Sequence, residues 1–219
     1  MNLLKSFSLF AALVAGSCTS ASMHPQEIDI SRHYLFYLHG RIIEDEGPQP
    51  VDERFGLYDY RSVVEALGSR GAVVISELRP KGTDVGEYAD RVVAEISRLL
   101  QAGVPESQIA VVGFSKGGAI ALSASSRLKH PGLKFVLLAT CGPWIEEVPA
   151  LHLTGHVLSI NETSDEMTTS CRPLADRSPQ PQSFAERSIT TGKGHGAFYL
   201  PRAEWLEPVL NRVHDDARQ

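Results

Sequence analysis

The sequence lacks a long basic run, an internal repeat, and an N-terminal apolar stretch long enough to cross a bilayer. Its 21 Lys and Arg residues are scattered along a chain whose net charge is -5 at pH 7. Nucleic-acid recognition needs clustered positive charge, so we expect no nucleic-acid partner. The remaining composition, 42% hydrophobic and 21% charged over 219 residues, suits one globular domain with a sizeable core.

The first residues have the three-part pattern of a secretory signal. One early positive charge at Lys5 precedes an apolar stretch from about Phe7 to Val14, and small residues follow. Such a stretch is too short for a permanent transmembrane helix. We therefore expect an exported protein, with residues 1–21 as the signal peptide and residues 22–219 as one domain.

Two cleavage sites compete in this leader. Cleavage after Ser17 would leave Cys18 first, as in a bacterial lipoprotein whose N-terminal cysteine is lipidated, although Ala15 stands where such signals usually have Leu. Ordinary cleavage near Ala21 is the alternative. We expect the protein to be either periplasmic or anchored to the membrane through Cys18.

Cysteine is scarce, with three in the chain. If Cys18 is lipidated or removed, Cys141 and Cys171 remain as a pair in an oxidising compartment, where disulfides form and persist. We predict that this pair forms a disulfide. Two buried free thiols are the alternative.

Short apolar runs alternate with stretches of helical spacing. The runs are wholly apolar, which is typical of buried parallel strands, and they lie at residues 35–38, 72–75, 109–113, 135–139 and 156–160, with a weaker run near 185–190. Helices are predicted between and after them, at about 58–67, 85–103, 116–129 and 204–213. This order predicts an α/β fold, a three-layer αβα sandwich with a mostly parallel central sheet. The polar, proline-rich residues 172–183 are predicted to form a surface loop.

One apolar run leads directly into Gly113-Phe114-Ser115-Lys116-Gly117 and then into a helix. A strand, a Gly-x-Ser-x-Gly turn and a helix together form a nucleophile elbow, in which the serine hydroxyl is exposed at the apex. The turn is so tight that a side chain at either glycine would collide with neighbouring backbone. An ordinary glycine-rich turn is the alternative.

Three motifs carry a resemblance to a known family: "YLHG" at 37–40, "GFSKGG" at 113–118 and "GKGHGAF" at 192–198. On these the chain resembles the α/β-hydrolase superfamily, in its small carboxylesterase and dienelactone-hydrolase-like branch. The resemblance implies the α/β-hydrolase fold and a catalytic triad in the order serine, acid, histidine. It assigns Ser115 as nucleophile, an acid after the strand ending near Ile160, and His195 as the base.

Two segments late in the chain contain the candidate base and the candidate acids. Glycines at 192, 194 and 196 give the backbone the freedom to bring His195 over the elbow, and histidine titrates in the range that a general base needs. The acid would accept the other imidazole N–H. Residues 161–167, "NETSDEM", offer Asp165, which the resemblance favours, then Glu162 and Glu166.

Two backbone N–H groups are expected to stabilise the oxyanion. One belongs to Lys116, directly after the nucleophile, and the other to Arg41, after the first strong strand and its His-Gly pair. His39 is interpreted as a structural residue that braces this loop. Nothing in the sequence requires a metal or an organic cofactor.

The sequence also bears on the substrate. Only 16 residues, 140–155, separate the strands between which related enzymes insert a lid, which argues for an open cleft and small soluble esters or thioesters. A serine nucleophile indicates acyl transfer through an acyl-enzyme intermediate. The rim of the site could be locally cationic, which leads to the hypothesis that an anionic ester binds. The residues concerned are Arg41, Arg79, Lys116 and Lys193.

Two other function classes remain open. One is a catalytically inert binding lipoprotein with the same fold, and the other is an acyltransferase that uses the same triad. The natural substrate, the acyl chain length and the oligomeric state do not follow from the sequence.

Overall fold

A computed structural model describes residues 27–179 and 181–215 of the chain. The predicted leader, residues 1–21 with Cys18, lies outside the described residues. No helix among the described residues is long and apolar enough to span a membrane. The division into a leader and one domain at residue 22 stays a prediction.

The strands and helices alternate as the apolar runs predict. The strands are β1 (Tyr34–Leu38), β2 (Val51–Asp52), β3 (Gly56–Leu57), β4 (Val73–Ile75), β5 (Ile109–Phe114), β6 (Lys134–Leu138), β7 (His156–Glu162) and β8 (Ser183–Ile189). The α-helices are α1 (Arg41–Glu46), α2 (Tyr60–Leu67), α3 (Val85–Gln101), α4 (Lys116–Arg127), α5 (Arg172–Arg177) and α6 (Ala203–His214). Short 3₁₀ helices lie at Glu106–Gln108, Pro143–Glu147 and Gly194–Phe198.

Six strands form one parallel sheet in the order β4-β1-β5-β6-β7-β8, and β2 and β3 form a separate antiparallel hairpin. Leu38 pairs with Gly113, and Leu138 pairs with Phe114 on one side and Ile160 on the other. The carboxyl ends of β1, β5, β6 and β7 therefore meet at one edge of the sheet. Ligands bind at this edge in open α/β sheets, so it is where functional side chains are expected.

Helices cover both faces of the sheet because successive side chains of each strand point to opposite faces. In β1, Tyr34, Phe36 and Leu38 pack with α3, α4 and α5, whereas Leu35 and Tyr37 pack with α2 and α6. Asp84 caps α3, accepting the Glu87 N–H at 2.9 Å. The predicted three-layer αβα architecture is confirmed.

The surface-loop prediction for residues 172–183 was wrong for residues 172–177, whereas the described residues between α5 and β8 do form a loop. Helix α5 occupies the first half of this stretch, where Pro173 lies in the first turn and Leu174 and Ala175 are buried. Proline is well placed there because the first amides of a helix have no carbonyl partner within it. The polar composition concealed the two residues that dock the helix.

Candidate active site

Ser115 lies at the turn between β5 and α4, with φ of 52° and ψ of -117°. Such backbone angles cost a residue with a Cβ of the order of 1–3 kcal/mol, and they are found where the surrounding structure enforces them. A Cβ at Gly113 would come within 2.7 Å of Gly118 Cα, and one at Gly117 within 2.7 Å of His39 O. The two glycines of the motif therefore allow the close packing that places the serine at the cleft.

His195 lies on the 3₁₀ helix Gly194–Phe198, and its side chain is buried. The imidazole packs between two rings, with its centroid 4.9 Å from that of Phe114 and 6.1 Å from that of Phe55. A Cβ at Gly196 would lie 2.7 Å from Phe55 Cβ, so this helix needs a glycine next to the histidine. The glycine-rich loop thus gives close packing as well as freedom.

Asp165 is the carboxylate that meets this histidine, with its Oδ2 atom 2.8 Å from His195 Nδ1. The Met167 N–H donates to Oδ1 at 2.9 Å, and the Thr168 hydroxyl donates to Oδ2 at 2.8 Å. Burial alone would raise the pKa of Asp165, but the hydrogen bonds from His195, Met167 and Thr168 hold this pKa below its usual value. The ionised acid accepts Nδ1–H, so Nε2 is the ring nitrogen able to accept a proton.

The other two candidate acids lie elsewhere. Glu166 is exposed and pairs with Arg54 at 2.7 Å. Glu162, the last residue of β7, is buried and accepts the N–H groups of Ser164, Thr191 and Gly192. Burial of Glu162 would raise its pKa, but a hydrogen bond from the Ser164 hydroxyl and those from the three N–H groups hold this pKa below its usual value. The structure therefore brings Asp165, and neither glutamate, to His195.

Ser115 and His195 line the same cleft, whose volume is about 270 Å³. Aromatic and apolar residues, three acidic residues and one cationic residue complete the lining, which includes Phe55, Phe114, Met167, Tyr199, Asp45, Glu46, Asp52 and Arg41. The described residues show no hydrogen bond from the Ser115 hydroxyl to the imidazole, a contact that often forms only in the substrate complex. Nor do they include a group of three or more His, Cys, Asp and Glu side chains placed to hold a metal ion.

Both expected oxyanion amides begin helices beside the serine. Arg41 is the first residue of α1 and lines the cleft, and Lys116 is the first residue of α4. First-turn N–H groups have no carbonyl partner within their helix. A Cβ at Gly40 would lie 3.8 Å from Ser115 Cβ, so the loop before α1 passes directly beside the nucleophile position.

No protein-family model matches the chain, and neither does any curated protein sequence. Solved structures do. SOBER1 of Arabidopsis thaliana superposes with a TM-score of 0.56 and 14% identity, over 83% of this chain and 99% of that chain. A YdeN-like hydrolase from Pectobacterium atrosepticum superposes with a TM-score of 0.52 and 16% identity, over 84% of this chain and 92% of that chain. A lipase-esterase related protein from Clostridium acetobutylicum superposes with a TM-score of 0.51 and 14% identity, over 84% of this chain and 95% of that chain.

The chain has the α/β-hydrolase fold. At this identity the likeness shows the fold alone, and the chemistry has to be argued from the residues at the site. In this α/β-hydrolase fold the predicted nucleophile, base and acid follow β5, β8 and β7 at one edge of the sheet. The narrower small-carboxylesterase branch stays a prediction.

The cationic rim suggested by the sequence is not what the structure shows. Arg79 Nε lies 2.8 Å from Glu44 Oε1, and the Lys116 ammonium pairs with the other oxygen of the same carboxylate. Arg41 pairs with Asp45 at 3.2 Å on the surface. These three cations pair with carboxylates, and Lys193 lines a neighbouring cleft with Glu53 and Arg54. The four cations therefore do not form one rim, and the anionic-ester hypothesis stays a hypothesis.

The hairpin β2–β3 contributes residues that the sequence did not reveal. Its turn supplies Phe55, which packs on His195, and its first strand supplies Asp52 to the cleft. Strands of two residues are too short to show alternation. The only local signal was Gly56, the first residue of β3, which adopts φ of 82° directly after the turn.

Cys141 and Cys171 form a disulfide, with their Cα atoms 5.3 Å apart. Cys141 follows β6, and Cys171 precedes α5. The Thr169 N–H also donates to the Cys141 carbonyl at 2.8 Å. The bridge therefore closes the loop that carries Asp165 against the end of the central sheet.

Proposed function

We propose that the protein is a serine hydrolase that cleaves small carboxylic esters or thioesters through Ser115, His195 and Asp165. The observation that carries the proposal is the buried hydrogen bond from His195 to Asp165, made at a cleft into which the strained Ser115 turn also opens. A buried, oriented imidazole that shares a cleft with a serine is the arrangement that activates a hydroxyl as a nucleophile.

The first half-reaction transfers the acyl group to the serine. His195 Nε2 takes the Ser115 proton as Oγ forms a bond to the substrate carbonyl carbon, and the carbonyl oxygen becomes an oxyanion. The N–H groups of Arg41 and Lys116 donate to that oxygen. The imidazolium, held by ionised Asp165, then gives its proton to the alcohol or thiol that departs, leaving an acyl-enzyme.

The second half-reaction releases the acid. His195 takes a proton from water, the resulting hydroxide attacks the acyl carbonyl, and the same amides stabilise the second oxyanion. The proton returns to Ser115 Oγ as its bond to the acyl carbon breaks. Every proton in this cycle passes through His195, so no metal or organic cofactor is required by the scheme.

The dimensions of the site support a small substrate. A cleft of about 270 Å³ lies just below the range typical of small-molecule sites, which begins at about 300 Å³. Between β6 and β7, where a lid would be inserted, the chain forms the short 3₁₀ helix Pro143–Glu147 and loops. Nothing in this segment is long enough to form a separate lid domain.

Export is part of the proposal. The disulfide supports an oxidising compartment, because such bridges are rare in reducing ones. The residues that would decide between signal cleavage and lipidation at Cys18 lie outside the described part of the chain. We therefore propose a periplasmic or membrane-anchored enzyme.

Steady-state hydrolysis by the mature protein tests the proposal. We expect turnover of p-nitrophenyl acetate and of a short acyl thioester, and loss of that turnover in Ser115→Ala. Added methanol separates hydrolase from acyltransferase, since a transferase would form methyl ester faster than free acid. A folded, oxidised wild type with no turnover and no acyl-enzyme would favour the inert binding protein instead.

A further inference from the structure

A buried cluster of charges lies behind the expected oxyanion site. The side chains of Glu44 and Arg79 are 1% and 0% exposed, and that of Lys116 is 18% exposed. One carboxylate oxygen of Glu44 accepts from Arg79 Nε at 2.8 Å, and the other accepts from the Lys116 ammonium. Glu44 is not among the residues that line the cleft, so it has no direct route to a substrate.

The cluster joins the two chain segments that carry the expected oxyanion amides. Glu44 lies in the first turn of α1, which Arg41 begins, and Lys116 begins α4. The Glu44–Lys116 ion pair therefore links the starts of the two helices directly. A shift of either start would change the distance between the Arg41 and Lys116 amides.

Arg79 extends the same cluster to the loop before α1. Its guanidinium donates to the His39 carbonyl, and its backbone N–H donates to His39 Nε2 at 3.0 Å. The guanidinium also lies 5.4 Å from the centroid of the Tyr88 ring. The loop that leads to Arg41 is thus held from behind by a buried arginine whose charge Glu44 balances.

We propose that Glu44 is a positioning residue for the oxyanion site: bridging Arg79 and Lys116, its carboxylate holds the Arg41 and Lys116 amides at the spacing that the tetrahedral oxyanion requires. This inference rests on the proposed hydrolase function. It goes further because it assigns a role in transition-state binding to a side chain that touches neither the substrate nor the triad.

Two variants test the role of the cluster. Glu44→Gln removes the charge that both cations share, and Lys116→Met removes the link to α4 while leaving the Arg79–Glu44 pair and the Lys116 backbone amide in place. The readouts are kcat and KM for p-nitrophenyl acetate and the affinity for phenylboronic acid, whose serine adduct is tetrahedral. Glu95→Gln is the matched control, because Glu95 is a buried acid that pairs with Arg98 away from the cleft.

We expect kcat to fall about 10- to 100-fold in both variants, because oxyanion donors act in the transition state and small misplacements are costly. KM should change by less than about twofold, and phenylboronic acid affinity should fall in parallel with kcat/KM. Glu95→Gln should lower the melting temperature while leaving both kinetic readouts near wild type. A purely structural role for Glu44 would not single out the tetrahedral ligand.

The outcomes separate the two proposals. A wild type that neither turns over nor reacts with a fluorophosphonate overturns the hydrolase function, and the Glu44 inference with it. An active wild type together with a folded Glu44→Gln variant of unchanged kcat and boronate affinity overturns the inference alone. If Glu44→Gln does not fold, Lys116→Met decides, and unchanged kcat in that variant overturns the inference.

Discussion

Asp165 and His195 are 30 residues apart in sequence and meet through a 2.8 Å hydrogen bond. A second carboxylate holds their two loops together. Glu162 accepts from the Ser164 hydroxyl at 2.5 Å and from the Gly192 N–H at 3.0 Å, and Ser164 Oγ accepts the Gly194 N–H at 3.1 Å. The contact between Asp165 and His195 is therefore supported by a hydrogen-bonded network centred on the buried Glu162 rather than by their side chains alone.

Replacing Asp165 with Asn should lower kcat by a factor on the order of 10³ to 10⁴, because an amide neither fixes the imidazole tautomer nor stabilises the imidazolium. Glu166→Gln is the matched control from the same loop, since Glu166 contacts Arg54 on the surface. Steady-state hydrolysis of p-nitrophenyl acetate measures both. Equal losses in the two variants would contradict the assignment of Asp165.

The sheet was predictable because buried parallel strands are wholly apolar, and the runs at 35–38 and 109–113 correspond to β1 and β5. The elbow was predictable for a similar reason, since its glycines are required by local packing. Helix α5 was not, because two buried residues in a polar stretch do not produce a periodic signal. The hairpin β2–β3 was missed because two-residue strands have no detectable alternation.

The parts of the site that depend on contacts between segments far apart in sequence were harder to predict. Three acids within five positions are equivalent in sequence, and only the course of the loop after β7 brings Asp165 to His195. Likewise, the sequence shows Lys116 as a free cation, whereas the juxtaposition of α1 and α4 places it on Glu44. Side-chain pairing between elements far apart in sequence has no local signature.

Removal of the disulfide by the double substitution Cys141→Ser and Cys171→Ser should lower the free energy of unfolding. The bridge closes a loop with a sequence separation of 30 residues, which corresponds to about 3–4 kcal/mol in the chain-entropy description. Urea denaturation of oxidised wild type and of the double variant measures the difference. The reduced wild type is the control and should resemble the variant, whereas equal stability of reduced and oxidised protein would contradict the prediction.

The acidic lining of the cleft should select against anionic substrates. Asp45, Glu46 and Asp52 line it, and Arg41, which also lines it, pairs with Asp45, so the lining keeps an excess of negative charge. Burial together with Asp52 and Glu46 raises the pKa of Tyr199 to about 12. We expect kcat/KM at low salt to be greater for acetylcholine than for its neutral isostere 3,3-dimethylbutyl acetate, and lowest for an anionic succinate monoester.

In Glu46→Gln the differences in kcat/KM among the three esters should become smaller, because one lining carboxylate is lost. High salt should also reduce these differences, because it screens exposed charges. A preference for the anionic ester would restore the cationic-rim hypothesis. Equal rates for all three esters would show that the lining carboxylates do not act on the substrate.

His39 should make the fold sensitive to acid. Burial and the charge of Arg79 lower the pKa of His39 from 6.5 to about 3, so at intermediate pH the unfolded chain binds a proton that the folded protein does not. The contribution of neutral His39 to the free energy of unfolding is therefore fully present above the pKa of the unfolded chain. It is lost as the pH falls toward the pKa of His39 in the folded protein.

The free energy of unfolding should then fall by about 1.4 kcal/mol for each pH unit below 6.5 on account of His39. Urea denaturation between roughly pH 7 and pH 4 should show a shallower dependence in His39→Gln than in wild type. Parallel curves for the two proteins would mean that His39 titrates normally in the fold.

Fluorophosphonate labelling of the mature, oxidised protein, with the modified residue identified by peptide mass spectrometry, tests most directly whether Ser115 is an activated nucleophile. We expect a single phosphonate adduct on Ser115, absent in Ser115→Ala and formed far more slowly in His195→Ala. A folded wild type that remains unmodified, or an adduct on another serine, would contradict this expectation.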